Sequence, residues 1–311
     1  MSDVRENPKT YGITLGYSTT DTGDSTYQTV SLGLSYRPWK WLAVTGNIPY
    51  TIIGGEETIV DDLGGGQYRT NRFTYDSNGF GDISLMAWAD LFQAFKDPPE
   101  ETECNPPIGP PALYVGMGLK LPTGPHDYLD RKKYDYDRAN SNGEYSDSDG
   151  IYPSYFQLGT GTLDGLFGVY CQQRFGRFVP HASLTYTLTG GENSVGYERG
   201  DSFGWSVGTK FLLMNLENSR QFYIQAGLSG VYIPSEDVDH SEDNQKAFSQ
   251  RKGKVEDTDG AFSYWDIGVG YDLTENLTVS ATAMFPLSND SSSSTSNSFD
   301  SMFGLSCWLR F

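Results

Sequence analysis

Period-2 alternation of side-chain character runs from one end of this 311-residue chain to the other. No other feature restricts the fold as much, because a repeat of two residues fits only a strand with two unlike faces. In the first candidate strand Tyr11, Ile13, Leu15 and Tyr17 take one face, and Thr10, Gly12, Thr14, Gly16 and Ser18 the other. Val30, Leu32, Leu34 and Tyr36 oppose Thr29, Ser31, Gly33 and Ser35. The pattern returns with Ile83, Leu85, Ala87, Ala89 and Leu91, and near the end with Leu277, Val279, Ala281, Ala283 and Phe285. No apolar run is long enough to cross a bilayer as a helix, so the chain reads as all-β.

Soluble sandwiches alternate too, and the content of the polar face separates the two cases. A water-facing sheet carries Lys and Glu, whereas here the polar positions are mostly Gly, Ser and Thr. Small groups of this kind suit the crowded inside of a narrow barrel whose apolar face meets lipid. Aromatics at 14% of the chain fit interfacial belts on that outer face. The charged residues and one histidine that fall on the inner face are Asp82, Asp90, Lys120, Asp164, Arg174, His181, Lys210, Asp266, Asp272, Asp300 and Arg310. They line the expected lumen, where mixed charges either pair and fill the interior or border a narrow polar path. Their slight acidic excess would disfavour anions.

Strands are expected near 10–19, 26–37, 41–53, 80–93, 111–122, 162–175, 177–189, 202–214, 220–233, 262–273, 276–287 and 298–311. Twelve strands in one domain spanning 1–311 would form a closed antiparallel transmembrane β-barrel. Connections alternate between tight turns (Pro38-Trp39-Lys40, Gly176, Thr274-Glu275) and long polar loops (53–80, 123–161, 234–261, 288–297). Short periplasmic turns opposite long extracellular loops are the asymmetry of bacterial outer-membrane barrels. The one exception is the long, Pro-rich connection 95–111. An even strand count returns both termini to the periplasmic side. The six connections on the long-loop side carry a net -15 of the chain's -18, so these loops are acidic.

The negative charge argues against nucleic acid as a partner. Three cysteines give no disulfide framework, since Cys171 and Cys307 fall on opposite sides of the expected barrel and Cys104 sits alone in a connection. Met1-Ser2-Asp3 reads as a start placed on a mature chain. The chain ends on Phe311, with Leu309 on the same lipid-facing side of the last strand. That ending resembles the signal by which outer-membrane barrels are recognised for assembly. Expected partners are therefore outer-membrane lipid, lipopolysaccharide, the barrel-assembly machinery and a small-molecule solute.

Residues with chemistry are few. His181-Ala182-Ser183 has the His–Ser spacing of the twelve-stranded outer-membrane phospholipase, but both side chains point to the lumen. A lipid hydrolase needs its nucleophile at the bilayer, so no enzyme is expected. The stretches Asp147-Ser148-Asp149-Gly150 and Glu236-Asp237-Val238-Asp239 place carboxylates at the alternate spacing that hard cations use. Calcium or magnesium shared with lipopolysaccharide phosphates is what they would take, and hydrated loops are the alternative. No other cofactor is called for.

Three Gly-rich pieces, in order and comparably spaced within 79 to about 190, resemble a family of outer-membrane transporters, the meta-pathway phenol-degradation-like proteins. They are Gly79-Phe80-Gly81-Asp82-Ile83, Leu119-Lys120-Leu121-Pro122-Thr123-Gly124 and Leu158-Gly159-Thr160-Gly161-Thr162-Leu163-Asp164. The resemblance implies an exported barrel that passes small hydrophobic or aromatic compounds. The long acidic loops depart from that theme. Independently of the family, glycines at 79, 81, 159 and 161 border long loops, where a strand bends, a loop folds inward, or a strand simply ends in a turn. The function expected is passage of a small solute through the lumen. The alternative is a structural or assembly barrel plugged by its own loops or a partner.

Overall fold

In a computed structural model of the chain, the described residues are 10–21, 25–62, 68–94, 111–125, 138–139, 145–146, 158–193, 197–215, 221–234, 237–238, 253–254, 260–274, 276–291 and 301–311. Thirteen strands form one antiparallel sheet: β1 (Thr10–Asp21), β2 (Ser25–Trp39), β3 (Leu42–Asp62), β4 (Tyr68–Phe80), β5 (Ile83–Asp90), β6 (Ala112–Leu121), β7 (Asp164–Gln172), β8 (Phe178–Leu188), β9 (Ser202–Asn215), β10 (Gln221–Ile233), β11 (Gly260–Thr274), β12 (Leu277–Ser291) and β13 (Ser301–Arg310). Every strand pairs with its neighbour in sequence except that β4 and β5 both pair with β3, and β1 pairs with β13 from Gly12↔Arg310 to Asp21↔Ser301. The sheet therefore has no free edge around its circumference, which is how a barrel removes unpaired strand edges. The final residue completes the seam, since Phe311 N–H donates to the Tyr11 carbonyl at 2.8 Å and Tyr11 N–H donates to Phe311 at 3.2 Å.

Strands β4 and β5 occupy a single position in the wall. The lower part of β3 pairs with β5 (Leu42↔Ala89 to Asn47↔Ser84), and its upper part pairs with β4 (Tyr50↔Phe80 to Asp62↔Tyr68). The barrel thus has twelve wall strands, the fourth interrupted at Gly81–Asp82. The sequence placed that strand at 80–93 and read 53–80 as a loop; instead β3 and β4 continue as a hairpin beyond the wall. Polar substitutes for the ladder explain the interruption. The Thr123 hydroxyl accepts from Ile83 N–H at 2.9 Å and donates to the Gly81 carbonyl at 3.1 Å, while Gly81 N–H donates to Pro49. At its other end β5 stops at Asp90, whose carboxylate accepts from Phe92 N–H at 3.0 Å and opens the single-turn helix α1 (Leu91–Ala94). A side-chain oxygen offered to free N–H groups in this way ends strands and starts helical turns.

The turn between β2 and β3 falls at Lys40–Trp41, beside the predicted 38–40; that at 176 joins β7 and β8; and that at 274–275 lies between β11 and β12, with Glu275 outside the described residues. Alternation sorts as expected. Tyr11, Leu15, Leu32, Leu85, Met117, Val169, Leu184, Trp265, Phe303 and Leu305 are exposed large apolar groups on the outer face. Near the short-turn end the outer aromatics stack in pairs, Tyr11 with Tyr36 at 5.0 Å and Trp39 with Trp41 at 5.6 Å. Near the long-loop end Tyr50 and Phe80, and Phe285 and Phe303, meet edge to face. Rings flanking an aliphatic band at both ends are the interfacial girdles of a membrane barrel. Cys171 and Cys307 are free, lie on the sixth and twelfth wall strands, and so stand on opposite sides.

Candidate functional site in the lumen

Register carries the sequence's inner-face residues into one interior. On β5 to β8 the inward positions include Trp88, Tyr114, Tyr170, Gln172 and His181, facing one another through Trp88↔Gly116, Gly116↔Gly168, Tyr114↔Tyr170 and His181↔Gln172. Trp88 lies flat against the wall. A Cβ on Gly116 would sit 2.6 Å from its Cε3, and one on Gly168 would sit 2.5 Å from its Cη2. Only glycine permits the indole to lie there rather than project across the lumen. Tyr170 stands 6.0 Å from the Tyr114 ring and 6.4 Å from the His181 ring, and its hydroxyl donates to Gln172 Oε1 at 2.8 Å. Together these rings make one aromatic wall.

The remaining circumference is mainly hydroxyl and glycine. Ser183 bonds Ser206 at 2.8 Å, Ser280 bonds Ser306 at 2.6 Å, and Thr29 bonds Thr51 at 3.1 Å, each across a strand pair. Ser183 is thus paired with a serine and not with His181, so the His–Ser spacing assembles no hydrolytic pair.

Charged residues divide into two groups. Toward the short-turn end each takes a polar or aromatic neighbour. Asp266 accepts from Ser229 at 2.9 Å, and Asp272 accepts from Thr278 at 2.8 Å. The Lys210 ammonium lies 5.3 Å from the centre of the Tyr223 ring, and the Arg310 guanidinium 4.4 Å from that of Trp308. Cations over ring faces are held without losing their charge to a carboxylate.

At the long-loop end Asp82, Lys120 and Asp164 come together. Lys120 Nζ is 2.5 Å from Asp164 and 3.8 Å from Asp82. Asp164, 1% exposed, also accepts from the Thr162 hydroxyl at 2.6 Å and from Gly190 N–H at 3.2 Å. Asp82 accepts from Gly124 N–H at 3.0 Å, and from Thr160 N–H and its hydroxyl at 2.8 and 3.0 Å. A buried carboxylate is tolerated when donors surround it in this way. The three Gly-rich pieces of the sequence therefore meet in space, Asp82 from the first, Lys120 to Gly124 from the second and Thr160 to Asp164 from the third. Glycine is required where they cross, since a Cβ on Gly159 would lie 2.5 Å from the Gly124 carbonyl and 2.6 Å from Asp82.

Other predicted residues are placed elsewhere. Arg174 follows the end of β7 and its Nε donates to the Gly176 carbonyl at 2.9 Å, in the turn and not on the wall. Asp90 is buried at the short-turn end. Asp300 lies outside the described residues, as do Asp147, Asp149, Glu236 and Asp239. Asp237 is described only in its backbone, in a two-residue ladder with Glu198 and Lys254. The aromatic wall was not singled out from the sequence. Its signal was there in Trp88, Tyr114 and Tyr170, large rings at inward positions, with Gly116 and Gly168 two residues from the two tyrosines.

No family model and no curated protein matches the sequence. Among solved structures, the COG4313 outer membrane channel from Pseudomonas putida F1 is similar over 100% of both chains, with TM-score 0.54 and 11% identity. A Pseudomonas aeruginosa FadL homologue aligns with TM-score 0.40 and 10% identity, covering 97% of this chain and 90% of that one. The monoaromatic hydrocarbon channel CymD aligns with TM-score 0.36 and 8% identity, covering 97% and 87%. The first of these carries the fold: the chain is a closed twelve-stranded membrane β-barrel.

Proposed function

We propose that this barrel sits in a bacterial outer membrane and passes small ring-bearing solutes through its lumen. The observation that carries the reading is the aromatic wall of Trp88, Tyr114, Tyr170 and His181, with the indole held flat by Gly116 and Gly168. A flat wall leaves room beside it. Its ring faces attract a planar solute, and the serine and threonine hydroxyls on the rest of the circumference keep the path wet. A membrane protein that only anchored something would gain nothing from glycines that keep a tryptophan out of its own lumen. The fold this chain shares with the outer membrane channel from Pseudomonas putida F1 is compatible with this reading. Surrounding lipid, lipopolysaccharide at the acidic loops and the assembly machinery reading Leu309 and Phe311 complete the proposed setting.

The test is single-channel recording of the refolded barrel with a small aromatic solute added on one side. Discrete open steps interrupted by brief solute blocks, shortened in Trp88→Ala, are expected. A correctly folded barrel that passes no current, or blocks indifferent to Trp88, would remove the proposal and favour a plugged structural barrel.

A further inference from the structure

The segment Leu158–Leu163 does not continue the wall above β7. Thr160 bonds Asp82, which opens β5, although β6 stands between β5 and β7. The segment therefore crosses the end of β6, with Gly159 N–H donating to the Pro125 carbonyl at 3.0 Å and Asn193 donating to the Thr160 carbonyl at 3.1 Å. Asp82, Lys120 and Asp164 all take inward positions, so the crossing lies on the lumen side. Strand ladders hold the rest of the wall. The side-chain bonds to this segment run from the Thr160 and Thr162 hydroxyls to the Asp82 and Asp164 carboxylates, between which Lys120 sits, with Leu158 packed at Gly79.

We propose that Leu158–Leu163 is a strap across the outer mouth of the lumen, and that Lys120, shared by Asp82 and Asp164, is the latch that keeps it down. The two carboxylates tolerate each other because one ammonium lies between them. Take it away, and like charges face each other in a buried place, which favours release. Releasing the strap breaks no strand pairing, since β6 and β7 remain joined from Ala112↔Gln172 to Lys120↔Asp164. The part of the proposal that concerns current rests on the channel reading above; the part that concerns the strap does not.

The full-length refolded barrel is compared as wild type, Lys120→Met and Lys120→Arg, by amide hydrogen exchange and by single-channel recording. In Lys120→Met the amides of Gly159 and Thr160 are expected to exchange faster on the order of tenfold or more, while amides of 113–119 and 165–171 keep their protection. Open steps should become larger or more frequent, and Lys120→Arg should return both readouts to wild type. Thr160→Val, which leaves every charge in place, should accelerate exchange less than Lys120→Met and serves if the latter does not fold. Unchanged protection at 159 and 160 overturns the latch, and protection lost throughout β6 and β7 shows a piece of wall and overturns the strap. Faster exchange with wild-type open steps overturns its placement at the mouth. Faster exchange in a barrel that never conducts upholds the strap and removes the channel reading instead.

Discussion

Gly168→Ala tests the aromatic wall at its tightest point. The added methyl would lie 2.5 Å from Trp88 Cη2 and 3.0 Å from Cζ3. Carbon atoms rest at about 3.5–4.0 Å, so the indole must lift by about 1 Å. Overpacking of this kind costs about 1–3 kcal/mol, and replacing a mid-strand glycine returns about 0.5–1 kcal/mol. Because the ring has the open lumen to move into, we expect the lower end, a net loss of about 0.5–2 kcal/mol in urea unfolding. The lifted ring also narrows the lumen, so under the proposed channel function the open step should shrink, and Gly168→Val should shrink it further. The decisive form is a double-mutant cycle. With Trp88→Ala in the background the methyl has nothing to strike, so Gly168→Ala should become neutral or stabilising, a coupling of about 1 kcal/mol or more. Gly54→Ala, where a new Cβ meets no atom within 4 Å, is the control and should be neutral or stabilise by up to about 1 kcal/mol. A coupling below about 0.3 kcal/mol, within the additivity of independent sites, would show that the indole does not lie on Gly168 and would refute the flat wall.

Three further outcomes follow from the same geometry. Thr162→Val deletes the 2.6 Å hydrogen bond to buried Asp164 and should cost about 1–3 kcal/mol in urea unfolding, whereas Ser31→Ala on the open wall should cost little. Under a salt gradient Lys210→Gln should move the reversal potential toward cation preference and Asp266→Asn toward anion preference. Both side chains face the lumen, and among the described residues neither has an opposite charge within ion-pair distance; a reversal potential that ignores both would place the path elsewhere. Removing the terminal ring in Phe311→Ala leaves the Tyr11 backbone bonds intact, so the purified barrel should refold at wild-type yield. Its share of folded, heat-modifiable protein in outer membranes should fall, and equal shares would deny the residue a role in assembly.

Alternation made the barrel legible because it is a local property. Each strand declares its two faces within eight residues, and the turns at 38–40, 176 and 274–275 declare the hairpins between them. The lumen list was legible for the same reason, since Asp82, Lys120, Asp164, His181, Lys210 and Asp266 follow from parity alone. What parity lacks is any knowledge of partners. The sequence left Lys120 and Asp164 either paired in the interior or bordering a polar path, and the register Lys120↔Asp164 brings them together as a pair. The break at Gly81–Asp82 is illegible for a related reason. Asp82 leaves the ladder to serve Gly124 and Thr160, 42 and 78 residues further on, and no window of the sequence spans both. The three Gly-rich pieces did single out these positions, though as strand ends or bends. Their glycines are small because one backbone must cross another there, and that crossing is what brings a charged residue from each piece to the same place.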